Sequence, residues 1–113
     1  MSLKIGMKNM EYKVKFTEKC LEDIDEACNY IEERLKAKNA ANRLRIKIKD
    51  SVKGLFEFPE MYAKIEKIDR EKRIYRKIPI DNYVLLYTVD EENKTVYISH
   101  MYYGGKNYLE GLI

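Results

Sequence analysis

The sequence predicts an α+β domain: an N-terminal strand, an antiparallel two-helix hairpin, then three or four mostly antiparallel strands forming a sheet packed on the helices. Three observations carry that expectation. Apolar and charged residues alternate near the N-terminus, apolar residues recur at helical spacing from Glu18 to Phe56, and β-branched and aromatic runs follow Pro59. At 113 residues the chain has the length of one domain, and 45% apolar content with ten Tyr and three Phe supplies a core despite 36% charge. Residues 1–10 show no periodicity and read as a frayed start or a cloning remnant, leaving 11–113 as the single domain.

Glu11-Tyr12-Lys13-Val14-Lys15-Phe16 alternates, so Tyr12, Val14 and Phe16 share one face of a strand and the two lysines the other. Thr17 is placed to cap a helix that begins with Glu18, where the macrodipole favours a carboxylate. From Glu18 to about Lys36, Leu21, Ile24, Ala27, Cys28, Ile31 and Leu35 form an apolar stripe, with an acidic outer face. A second helix runs from about Ala40 to Phe56, with Ala41, Leu44, Ile48, Val52, Leu55 and Phe56 inward and Arg43, Arg45, Lys47, Lys49 and Lys53 outward. Phe58-Pro59 stops it.

Beyond the proline, 64–68 is a weak strand candidate and 69–72 a charged turn. Arg73 to Ile80 reads as a strand in which Pro79 disfavours a central, fully paired position. Asp81-Asn82 is a turn, Tyr83 to Val89 the best core strand, 90–94 a hairpin loop, and Thr95 to Met101 its antiparallel partner. Left on an uncovered edge or face, Tyr83 to Val89 would also support a homo-oligomer.

Several function classes are disfavoured by the same residues. No apolar run reaches the roughly 18–20 residues that span a bilayer, and the N-terminus has no secretory pattern, so no membrane partner is expected and the cytoplasm is the expected compartment. Two cysteines and one histidine, without zinc-site spacing, give no metal and no cofactor. A net charge of +3 permits a nucleic-acid partner without requiring one.

The order and spacing of Tyr12-Lys13-Val14-Lys15-Phe16-Thr17, Ala40-Ala41, Leu55-Phe56-Glu57-Phe58-Pro59, Tyr75-Arg76-Lys77-Ile78-Pro79-Ile80, Asn82 to Asp90 and Val96 to Gly104 resemble the RelE/ParE superfamily of toxins. The likeness covers most of the chain. It implies the growth-inhibiting toxin of a type II toxin–antitoxin (plasmid stabilisation) module, neutralised by a cognate antitoxin. RelE-like members cut messenger RNA on the ribosome, and ParE-like members poison DNA gyrase. The resemblance makes a ribosome-dependent mRNA endoribonuclease the first expectation, with a non-enzymatic gyrase inhibitor or a degenerate, non-toxic member as the alternatives.

Metal-free RNA cleavage needs a group to activate the 2′-hydroxyl, cations for the phosphorane and a proton donor. On the endoribonuclease reading the resemblance makes Arg76, His100, Lys106 and Tyr108 the catalytic candidates, with Arg76 and Lys106 on phosphate and His100 or Tyr108 moving the proton. Tyr102, Tyr103 and Lys77 are candidates for binding the substrate, although strand alternation lets at most one of the two tyrosines reach it. The chain departs from the RelE pattern at Val84, where catalytic members carry arginine, and after the last strand, where Gly104-Gly105-Lys106-Asn107 replaces a run of arginines. Arg43, Arg45, Lys47 and Lys49 on the second helix are candidates for docking an antitoxin.

Overall fold

The computed structural model describes residues 11–65 and 72–104. Within them β1 (Lys13–Phe16) turns Val14 and Phe16 inward and both lysines outward, as the alternation predicts. Thr17 ends the strand and caps α1 (Glu18–Asn29): its Oγ1 accepts from the Cys20 N–H at 3.1 Å and donates to the Ser99 carbonyl at 3.3 Å. One side chain thereby starts the helix and ties it to the last strand. The buried stripe of α1 is Cys20, Ile24 and Cys28, an i, i+4, i+8 row.

Leu21 and Leu35, expected inside, are 48% and 55% exposed, and Cys20 occupies the inner place instead. Leu35 leaves the stripe because Tyr30–Arg34 is a π-helical turn, with Leu35 N–H reaching back to the Tyr30 carbonyl. The wider turn holds one extra residue and rotates the residues after it by about 100°. Leu21 stands at the seam between the helices, just off the row that α1 buries.

α2 (Lys38–Val52) returns antiparallel and buries Ala41, Leu44, Ile48 and Val52. Its last turn tightens to a 3-10 helix, Lys53–Phe56, which buries Leu55 but turns Phe56 outward, against expectation, at 45% exposure. Three residues per turn break the α spacing that would have kept both inside. Pro59 is buried and its carbonyl accepts the Tyr87 hydroxyl at 2.7 Å.

β2 (Arg76–Ile80), β3 (Tyr83–Asp90) and β4 (Thr95–Tyr103) complete a sheet of order β1-β4-β3-β2. The β2–β3 and β3–β4 pairs are antiparallel, whereas β1 lies parallel to β4, so the sheet is mixed. Pro79 sits on the edge strand, where its missing N–H costs no ladder bond. β2 starts three residues later than Arg73. The 64–68 candidate contributes only one bridge among the described residues, Lys64 to Arg76; positions 66–71 lie outside those described, as do 105–113. β3 has a strand on both sides, so among the described residues it offers no open edge to a second copy, and Leu85, Leu86 and Tyr87 are fully buried.

The main core fills the space between the hairpin and one sheet face, with Ile78, Ile80, Leu85, Tyr87, Val96, Ile98 and Met101 meeting the helices. A smaller cluster of Ile65, Tyr75 and Leu86, flanked by Val84 and Tyr102, lies on the other face. Among the described residues, no helix is long and apolar enough to cross a membrane.

Candidate functional site

β4 carries one residue too many for its partner. Tyr87 faces Ile98 but Leu86 faces His100, which leaves Ser99 as a bulge. Without it, alternation from Ile98 would put His100 on the helix side. With it, Met101 opposite Leu85 joins the main core, and His100 and Tyr102 stand on the outer face opposite Leu86 and Val84.

There the rings form a row. His100 stacks on Tyr102 with centroids 5.7 Å apart and planes at 11°, and meets the edge of Tyr75 at 6.0 Å. Ser99 Oγ lies 2.9 Å from His100 Nδ1, the direction of donation set by the imidazole tautomer. Burial raises the Tyr102 hydroxyl pKa above its ordinary value, with Lys19 pulling it back down. Lys19 and Asp23 pair across one turn of α1, and Asp23 accepts the Met101 N–H at 3.2 Å, closing the β4 edge beyond the end of β1.

Cations border this row. The Arg73 guanidinium lies 5.7 Å from the centre of the Tyr75 ring. Lys77 faces Leu86 across the β2–β3 ladder, which puts it on the His100 face, half-buried. A shallow concavity of about 600 Å³ opens beside the rings, lined by Lys72, Arg73, Tyr75, Tyr97, Ser99 and, at one end, the carboxylate Asp90 among others. The combination of cations and flat rings suits a phosphate-bearing or acidic ligand.

The sequence-derived candidates separate onto two faces. Arg76 pairs with Tyr87, one residue along from Leu86, and so belongs to the face opposite His100. Its Nη1 donates to the carbonyls of Tyr62 at 2.7 Å and Glu60 at 3.3 Å, pinning the loop after α2. Tyr103 is likewise on the helix side, edge-on to Tyr83 at 5.2 Å and 69% exposed. His100 and Tyr102 are brought together and Lys77 shares their face two strands away; Lys106 and Tyr108 lie outside the described residues. On α2, Arg45 pairs with Asp25 at 3.3 Å and Lys47 with Asp81 at 2.9 Å, while Arg43 and Lys49 are exposed.

Tyr75, Arg73 and Ser99 join the site without having been singled out from the sequence. Their signal is weak: Tyr75 and Arg73 precede β2, and only the bulge, which no local motif announces, orients His100 toward them. Among the described residues no cluster of His, Cys, Asp and Glu could hold a metal ion.

No curated protein sequence matches this chain. Among solved structures it is similar to the chromosomal ParDE toxin–antitoxin system of P. aeruginosa, at TM-score 0.66 and 17% identity, over 83% of this chain and 97% of that one. It is also similar to the RelBE2 toxin–antitoxin complex of Mycobacterium tuberculosis, at TM-score 0.55 and 19% identity, over 83% and 92% of the two chains. Those likenesses establish the fold. The model of the ParE toxin of the type II toxin–antitoxin system parDE matches residues 14–108, nearly the whole sheet-and-hairpin unit, and the chain accordingly belongs to the ParE toxin family.

Proposed function

We propose that this chain arrests growth in the cytoplasm by gripping a macromolecular target with the open face of its sheet, DNA gyrase by family likeness, and that a cognate antitoxin neutralises it by covering that face. The observation that carries a non-cleaving mode is the placement of Arg76. Cleavage would require a cation on the phosphorane beside the group that moves the proton. Arg76, the cation that the family likeness puts on phosphate, is across the sheet from His100 and committed to two loop carbonyls, although Arg73 and Lys77 stand on the His100 face. The half-buried rings of His100 and Tyr102, stacked on each other and backed by the buried Tyr75, offer a contact surface. Match to a ParE model supports the same reading.

A second reading, a ribosome-dependent mRNA endoribonuclease, is favoured by the two other cations on the His100 face. There Lys77 and Arg73 would hold phosphate, Tyr102 would stack on a base and His100 would move the proton. Induced expression in a sensitive host, with and without the antitoxin, separates the two when messenger-RNA 5′ ends and DNA-damage signalling are followed together. Damage signalling without new 5′ ends is expected. In-frame cuts on translated messages that disappear in His100→Ala would overturn the gyrase reading in favour of the nuclease, and growth without either signal would identify a degenerate toxin.

A further inference from the structure

The outer face of the helical hairpin is charged by halves and apolar along its seam. At 100° per residue, Glu18, Leu21, Glu22 and Asp25 occupy one sector of α1, on the side toward α2. Arg45, Ile46, Lys49 and Lys53 occupy the facing sector of α2 and its 3-10 extension. Between them runs a groove of about 610 Å³ whose walls include Leu21, Ile24, Ile46 and Ile48. Leu21 and Ile46 are 48% and 57% exposed. Scattered exposed apolar residues are ordinary, but these two border one groove on a surface that is mostly acidic on α1 and mostly basic on α2, with Lys19 and Asp50, the latter paired with Lys53 at 3.2 Å, as the exceptions.

We propose that this face docks a second copy of the chain in a two-fold dimer. Two face-to-face two-folds are geometrically available. An axis across the helices would lay acidic α1 on acidic α1 and basic α2 on basic α2. An axis along the helices lays α1 of each copy on α2 of the other, so carboxylates meet cations along two equivalent rows and the apolar seams meet in the middle. Charge selects the second arrangement. The Arg45–Asp25 pair fixes which residues are level across the hairpin. Counting antiparallel from it, Glu22 comes level with Lys49 and Glu18 with Lys53, and the same levels hold between copies.

A helix of 15 residues is about 22 Å long and two side by side about 20 Å wide, so such an interface buries on the order of 900 Å² in total. That lies at the low end for a specific contact, and with half its character electrostatic the dimer is expected in the micromolar range and salt-sensitive. It leaves the open sheet face of each copy uncovered, so the inference stands whichever target the toxin has.

The test is sedimentation of the full chain, made by cell-free synthesis, from about 1 to 200 μM, with circular dichroism to verify folding. Dimerisation is expected to weaken about tenfold or more between 50 and 500 mM salt. Ile46→Glu, Glu22→Lys and Lys49→Glu are exposed substitutions that leave the fold intact and are each expected to weaken the dimer at least about tenfold. The double variant Glu22→Lys with Lys49→Glu restores opposite charges between copies and is expected to dimerise within about threefold of the parent. A monomer throughout the concentration range at low salt would overturn the proposal, as would a dimer indifferent to the single substitutions. A double variant no better than either single one would overturn the two-fold along the helices.

Discussion

Arg76 and Tyr87 face each other across β2 and β3, and both spend their polar atoms on the loop that follows α2. Replacing Arg76 with Ala leaves the Tyr62 carbonyl without its donor, and the expected cost is about 1–3 kcal/mol of stability, readable as a lower Tm. On the surface-contact reading, the folded Arg76→Ala protein retains target binding; a Tm unchanged alongside lost toxicity would return Arg76 to the site. Tyr87 is fully buried, its hydroxyl donates to the Pro59 carbonyl, and burial pushes its pKa up to about 12. Tyr12, bonded to Glu91 at 2.6 Å, is raised to about 12 as well. In the unfolded chain both would ionise near 10, so the native state holds more protons above that pH. The stability they contribute is complete below about pH 10 and drains away as pH rises toward 12. Tyr87→Phe is expected to cost about 1–2 kcal/mol at neutral pH and to flatten the alkaline fall in Tm, measured between about pH 8 and 11.5. An unchanged slope would show that Tyr87 is not what the alkaline limb reports.

At the scale of elements, the periodic parts of the chain were legible and the departures from period were not. Alternation placed Val14 and Phe16 inside, the row Ile24 and Cys28 lay where 3.6-residue spacing puts it, and Pro79 fell on an edge strand because a prolyl nitrogen cannot donate. Leu35 and Phe56 were misplaced because a π turn and a 3-10 turn change the residues per turn, and neither carries a composition of its own. The Ser99 bulge is the same kind of event in a strand: a one-residue shift that moves His100 from one face to the other. Capping was legible, since Thr17 precedes Glu18 at the strand end, yet its second bond to the Ser99 carbonyl is tertiary and could not be read locally. Thr17→Ala therefore removes a helix cap and a tie to the bulge together. The expected loss is about 1–2 kcal/mol, with Thr17→Ser recovering most of it by denaturant titration. A loss under about 0.3 kcal/mol would mean that neither bond matters to stability.

For the whole molecule, the sheet is a partition with different work on each side. One face is sealed by the hairpin; on the other, among the described residues, lie the small Ile65–Tyr75–Leu86 cluster and the ring row, rimmed by Arg73 and Lys77. From the sequence, Arg76, His100, Lys106 and Tyr108 form a catalytic set and Tyr102, Tyr103 and Lys77 a binding set, and each set mixes the two faces because one-dimensional neighbours look equivalent until pairing assigns them sides. The adjacent tyrosines turn that partition into an experiment. Tyr102 stacks on His100, while Tyr103, one residue on, projects to the hairpin side at 69% exposure beside Tyr83. If toxicity resides on the open face, Tyr102→Ala relieves growth arrest, and so does Lys77→Ala, whereas Tyr103→Ala leaves it intact. Half-burial of Tyr102 means its loss also removes packing, on the order of 1–2 kcal/mol, so Tyr102→Phe serves as the control that keeps the ring. A contact surface tolerates that change, because stacking needs the ring and not the hydroxyl. Growth arrest relieved equally by Tyr102→Phe and Tyr102→Ala would instead point to chemistry at the hydroxyl and favour the nuclease, and relief by Tyr103→Ala alone would move the functional surface to the helix side.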